Sequence, residues 1–179
     1  MAIKWLNLNK LTSTNSYMIE SLNEDKLKEL FEQSRNSSRR RAIRTFQEDS
    51  YPGPQIGLNV IQPESYTRPH FRYSDEYILH YSGKLCFLVL DESGHVRRGQ
   101  VLSKESPYLF LPAKAYHTLV SLEKDSALWF VTQGPFDPNN FRQDFPGSPT
   151  EKEDYAEYFD WLKKMALITE GLGRLKKEN

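Results

Sequence analysis

Apolar and polar positions follow two different periods along this chain. In residues 21–34, Leu27, Leu30 and Phe31 recur three and four apart among charged residues. That spacing predicts an amphipathic helix. Ser21 and Glu24 stand at capping-box spacing at its start, and Asn36-Ser37-Ser38 predicts its end. From Gln55 the period falls to two. Ile56, Leu58 and Val60 alternate with Gly57, Asn59 and Ile61, which predicts a strand. Residues 77–81, 85–90, 96–101, 108–111, 116–122 and 127–132 read as further strands. The run 85–90 is almost wholly apolar, as expected of a strand covered on both faces. Residues 96–101 are poorer in apolar side chains and predict an edge. Ser82-Gly83-Lys84, Asp91-Glu92-Ser93-Gly94 and Glu123-Lys124-Asp125-Ser126 supply the turns.

Short strands at regular spacing predict a mostly β protein, an antiparallel barrel or sandwich rather than alternating α/β units. Residues 134–149 are rich in Pro, Gly and Asn and predict a loop or linker. Thr150 and Glu153 form a second capping box. Tyr155, Tyr158, Phe159, Leu162, Met165 and Ala166 then repeat at helical spacing. This helix is predicted to end near Gly171 or Gly173 and to lay its aromatic face on the barrel, on the first helix or on a second subunit. The expected order is an arm, helix and Arg-rich segment over 1–50, the barrel over 51–138, and a loop, helix and tail over 139–179, all in one domain. Residues 1–20 read as an arm or an extra edge strand, and 174–179 as a disordered tail.

With 179 residues the chain can build a core. Its 24 basic and 24 acidic side chains cancel, so no general attraction to nucleic acid or to an anionic membrane is expected. No segment approaches a membrane span in length, and the N-terminus lacks signal-peptide architecture. A cytoplasmic protein is expected. Cys86 is the one cysteine. It permits no intrachain disulfide, fits a reducing compartment and reads as a small core residue. Neither a phosphate-binding loop nor a dinucleotide fingerprint is present, so no nucleotide cofactor is expected. A nucleophile elbow is missing as well.

Candidate chemistry gathers in two stretches. If residues 70–76 are extended, strand alternation lets His70, Arg72 and Glu76 face one cavity, and His117 comes from a distant strand. Two readings stay open. His70, Glu76 and His117 suit a three-ligand divalent metal (Fe, Mn, Ni or Zn) with open positions, beside which Arg72 holds an anionic substrate group. Alternatively Arg72 replaces the metal and pairs with Glu76, since a guanidinium stays charged and cannot ligate. His80 shares the parity of Glu76 but lies roughly 13 Å along a strand, so it reads as a hydrogen-bonded core histidine. His95 follows a turn and reads as exposed. The run Arg35, Arg39, Arg40, Arg41, Arg44 is either a solvated basic face or a set from which one or two arginines close the barrel mouth on an anion.

These stretches resemble the cupin superfamily. His70-Phe71-Arg72 followed by Glu76 and Gly83 is similar to the first cupin motif, His-x-His, three or four residues, Glu, six residues, Gly. Here Arg72 stands at the second His, and the usual opening Gly is replaced around Tyr66. Pro112-Ala113-Lys114-Ala115-Tyr116-His117 is similar to the second motif, Pro-x-Gly-x-x-His, with Lys114 at the Gly. The wider pattern resembles the WbuC type of O-antigen gene clusters: a helix, Ser38-Arg39-Arg40-Arg41, Tyr66-Thr67-Arg68-Pro69-His70, and Gly134-Pro135-Phe136-Asp137-Pro138. The likeness covers about residues 22–149. It implies a cupin jelly-roll barrel flanked by helices, a homodimer, and a role in bacterial surface-polysaccharide metabolism with a sugar-like or anionic ligand. It also implies ligand contacts from Arg72, Arg68, Arg40, Arg41 and Tyr66, and catalysis by His117 and Glu76. The alternatives are sugar isomerisation or epimerisation, non-catalytic ligand binding, and an oxygenase if iron is bound. Fold is the stronger implication, because cupins host many unrelated activities.

Overall fold

Strand alternation orders the chain from residue 55 onward, and the helical stretches flank it. The structure is a computed structural model that describes residues 22–175. Its elements are α1 (Glu24–Asn36), β1 (Arg41–Thr45), β2 (Gln55–Ile61), β3 (Phe71–Arg72), β4 (Glu76–Ser82), β5 (Leu85–Leu90), β6 (Val96–Leu102), β7 (Tyr108–Leu111), β8 (His117–Ser121), β9 (Ser126–Thr132), β10 (Phe141–Arg142) and α2 (Ala156–Leu175).

Every pairing is antiparallel. One sheet runs β1-β2-β9-β4-β7, a second runs β6-β5-β8, and β10 pairs with β3. The two larger sheets face each other across a core of Ile61, Ile78, Leu109, Leu111, Leu128 and Phe130 from the first and Leu85, Phe87, Leu102 and Leu119 from the second. No hydrogen-bonded ladder joins those sheets among the described residues, so the expected jelly roll closes by packing.

β1 falls in the Arg-rich run, which carried no strand signal. It is an edge strand in register with β2, from Arg41 opposite Ile61 to Thr45 opposite Gly57. Edge strands tolerate charge, so its composition hid it. β3 and β10 have two residues each, too few for a period to show.

Asn23 caps α1, its side chain accepting from the Lys26 N–H at 2.9 Å. Ser21, the expected cap, lies outside the described residues, as do residues 1–20 and the tail from 176. Leu27, Leu30 and Phe31 lay α1 on the outer face of the five-stranded sheet, over Leu58, Val60 and Ala127. At its end Arg35 grips Asp125 with two bonds, at 2.9 and 2.6 Å.

α2 packs Phe159, Leu162 and Ala166 onto Cys86, Leu88 and Val120 of the three-stranded sheet. That resolves the three expected partners of its aromatic face in favour of the chain's own sheet. Glu153 does accept from the Thr150 N–H, at 2.6 Å, but this closes a turn ahead of the helix. α2 starts at Ala156, whose N–H donates to Asp154. It continues through Gly171 and Gly173, so these glycines do not stop it. Cys86 is fully buried here, its thiol pushed up to about 12 by burial, which suits a core residue. No described helix is long and apolar enough to cross a membrane.

Candidate functional site

The core does not fill the space between the sheets. A cavity of about 570 Å³ opens there, with Ile78, Phe87, Leu119, Leu128 and Phe130 on its apolar side. His70, Arg72, Glu76 and His117 line it, as do Arg39, Arg41 and Asn59. A groove of similar size, about 550 Å³, lies between β6 and the end of α2. It holds no histidine, and its Lys84 is engaged by Glu123 and Glu170 at 2.9 and 3.5 Å. The chemistry therefore belongs to the first cavity.

Backbone pairing sets the two histidines side by side. His70 and His117 form an antiparallel bridge, each N–H donating to the other's carbonyl at 2.9 and 2.8 Å. Their ring centroids lie 4.4 Å apart. Nδ1 of His70 is 2.9 Å from the Arg68 carbonyl, and Nδ1 of His117 is 2.9 Å from the Ala115 carbonyl. A carbonyl only accepts, so each Nδ1 carries the proton and each neutral ring keeps its lone pair on Nε2. Burial, and next the neighbouring His117, hold His70 well below the usual imidazole range. Burial also lowers His117, against the opposing pull of Glu76.

Glu76 opens β4 with its side chain inward and buried. Arg72 donates Nε–H to its Oε1 at 2.7 Å, while its Oε2 lies 3.4 Å from His117 Nε2. The carboxylate thus spans a fixed cation and a buried imidazole. Lys114 holds this arrangement from the other side, its N–H donating to the Arg72 carbonyl at 2.7 Å. Lys114 has φ +65°, a left-handed conformation that explains why the resembling motif carries Gly there. Gly83, the last motif residue, also has φ +65°, and a Cβ on it would come within 2.8 Å of Ser126 Cα.

The expected metal ligands His70, Glu76 and His117 line one cavity. No three His, Cys, Asp or Glu side chains among the described residues are placed to hold an ion. The Arg72 guanidinium already sits on Glu76, bringing positive charge where a metal would add more. In this arrangement Arg72 competes for Glu76 with any ion that His70, Glu76 and His117 would hold.

Of the other expected ligand contacts, Arg41 lines the cavity. Arg68 turns to Ser148, bonding its hydroxyl and carbonyl at 2.9 Å each. Tyr66 is buried under α2, stacked on Tyr155 at 4.5 Å, and donates to the Pro149 carbonyl at 2.8 Å. Arg40 reaches Glu64 at 3.6 Å. None of these three is a lining residue. His80 bonds the Gly83 carbonyl through Nε2 at 2.8 Å, and the side chain of His95 is exposed. Arg39 was not singled out from the arginine run. Asn59 also escaped notice, although a polar residue on the Gly57-Asn59-Ile61 side of β2 was a usable signal. Its Oδ1 is buried without a hydrogen-bond partner among the described residues.

Residues 22–102 match a family model described as a domain of unknown function, DUF6016. No curated protein matches the sequence. Among solved structures, CapF with the inhibitor 3-isopropenyl-tropolone superposes with a TM-score of 0.51 at 18% identity, over 60% of this chain and 32% of that one. A mutant of oxalate decarboxylase from Bacillus subtilis gives 0.50 at 18% identity, over 58% and 28%. A structural-genomics protein from Shewanella oneidensis gives 0.51 at 14% identity, over 69% and 85%. The chain therefore spans about a third of the length of the first two. At these identities the likeness establishes the fold.

Proposed function

We propose that this chain, a cupin by its fold, binds an anionic, hydroxyl-bearing small molecule of sugar type between its two sheets. One observation carries the reading: a single cavity is lined by Arg39, Arg41 and Arg72 beside an apolar side. Its volume is that of a small-molecule site. Guanidinium forks match carboxylate and phosphate oxygens, and the apolar side suits the C–H face of a sugar ring. The Asn59 Oδ1 suits a ligand hydroxyl. The resemblance to WbuC-type proteins supports a ligand from bacterial surface-polysaccharide metabolism.

The pair of Glu76 and His117 supports proton transfer as a second activity. Two lone-pair atoms 3.4 Å apart are stabilised by a positive species between them. The Nε2 lone pair of neutral His117 can take a proton from a ligand hydroxyl beside Glu76, which suits general-base chemistry such as sugar isomerisation or epimerisation. The alternative is a divalent metal, whose charge Arg72 opposes. Binding is tested by titrating glucuronate, glucose 6-phosphate and glucose into the wild-type protein and Arg72→Ala. The anionic sugars are expected to bind and to weaken about tenfold or more in the variant, the scale of one lost charge-assisted contact. Equal binding of glucose, or an unaffected variant, contradicts the reading.

For the expected homodimer we propose the part of the five-stranded sheet that no described helix covers. Tyr77, Leu79 and Tyr81 of β4 and Tyr108 and Phe110 of the edge strand β7 project there, each 39–48% exposed. Tyr77 stands opposite Phe110 and Leu79 opposite Tyr108. None of the five is charged, so a second copy can meet the same face without repulsion in an isologous pair.

A further inference from the structure

Glu151 lies in the segment that leads into α2 and reaches back to the arginines of the cavity. Arg39 grips it with Nε on Oε2 and Nη2 on Oε1, both at 2.7 Å. Arg41 adds Nη2 on Oε1 at 2.5 Å. This is a two-guanidinium clamp on a carboxylate, and the carboxylate belongs to the chain itself. Both arginines line the cavity, and Glu151 does not.

Asp49 and Glu76 line the cavity with Arg39, Arg41 and Arg72, so with Glu151 the formal charges cancel. At the clamp itself one carboxylate serves two cations, while Arg72 pairs with Glu76. A doubly charged head would satisfy Arg39 and Arg41 better than a single carboxylate does. The clamp would also outlast the departure of Glu151. Arg41 Nη1 donates to the Tyr66 carbonyl at 2.6 Å and to Ser65 Oγ at 3.3 Å, which fixes its plane independently. The loop around Glu151 is separately tied through Arg68 to Ser148 and through Tyr66 to Pro149. The Glu151 side chain is 30% exposed, so it can swing to solvent without unfolding that loop.

We infer that Arg39 and Arg41 form a phosphate subsite at the edge of the cavity, which Glu151 occupies in cis and a phosphate-bearing ligand takes by displacing it. The inference rests on the reading of the cavity as an anion-binding site and names the anion. Glu151 then acts as a tethered competitor. Tethering sets effective concentrations in the millimolar range, so weak anions are kept out and a ligand with further contacts gets in.

Inorganic phosphate, titrated calorimetrically at constant ionic strength, tests this on wild type and Glu151→Gln. The variant keeps an acceptor for the arginines and loses the competing charge. It is expected to bind phosphate about tenfold or more tightly than wild type, the scale of a removed intramolecular competitor, and Arg41→Ala in that background is expected to abolish the gain. Equal affinity in the two proteins, or no binding by either, overturns the inference. Should Glu151→Gln fail to fold, hydrogen exchange in the wild type decides. Phosphate, against chloride at matched ionic strength, is expected to speed exchange over residues 150–155, and unchanged exchange overturns the displacement. Failure of the broader reading shows differently. Phosphate binding unlocked in Glu151→Gln alongside sugar binding that ignores Arg72 would sink the cavity assignment and leave the subsite standing.

Discussion

The Arg72 guanidinium donates to one oxygen of Glu76 and leaves the other facing His117. The Arg72 side chain is 20% exposed and that of Glu76 8%, so removing the cation strands a buried carboxylate. Arg72→Ala is expected to lower stability by about 3 kcal/mol, the lower end of the range for breaking a buried pair. Chemical denaturation measures it, and an unchanged midpoint would mean that Glu76 has another source of compensation. Motif spacing made these four residues legible in the sequence; strand alternation does not run through them, because residues 73–75 break the stretch between β3 and β4. The departure at Lys114 was legible too, and its positive φ gives the physical content of that position. Arg39 was not, because its partner Glu151 lies 112 residues along the chain, and no local period links them. Tyr66 and Arg68 sit next to the motif, yet they serve the loop before α2. Nearness in sequence to a motif says nothing about which side of the sheet a residue serves.

At the scale of elements, α1 is tied to the β8–β9 turn by Arg35 and Asp125. The hydrogen bond from Arg35 is the main cause that holds the Asp125 carboxyl below its usual range. A carboxyl depressed in the fold adds stability that is full above its unfolded value, about 3.9. That contribution is lost as pH falls through the lower folded value. Arg35→Ala is therefore expected to lower the melting temperature at neutral pH and to flatten its fall below about pH 4. Parallel melting curves for the two proteins across that window would contradict the assignment. The strands from β4 to β9, apart from small shifts at their ends, matched the alternating pattern because each buries one face or both. β1 escaped it since an edge strand can carry Arg41 and Arg44, whose charges mask the alternation. The start of α2 was misplaced because the Thr150–Glu153 bond is real but closes an isolated turn.

Over the whole molecule, the helices cover different ground. α1 shields the β2 and β9 side of the larger sheet, and α2 shields the smaller sheet. Among the described residues no element covers the β4 and β7 side, which is aromatic. Light scattering is expected to give twice the chain mass for the wild type and a single chain mass for the double variant Tyr77→Lys, Phe110→Lys. A wild-type monomer would remove the dimer, and a dimeric variant would move it to another face. Sequence reading left the aromatic stripe of α2 open to the barrel, the first helix or a second subunit, and β5, β6 and β8 take it. A stripe shows that a face is buried and not against what.

The central claim is that Arg72 holds Glu76 as an ion pair in the place where the resembling motif would put a metal ligand. Elemental mass spectrometry of untagged protein, incubated in turn with Mn, Fe, Ni and Zn and then desalted, tests it most directly, with Arg72→His and His117→Ala measured alongside. The expected result is no stoichiometric metal in the wild type and a gain in Arg72→His, which supplies the missing imidazole. Near-stoichiometric metal in the wild type, lost in His117→Ala, would contradict the claim and make His70, Glu76 and His117 a metal centre.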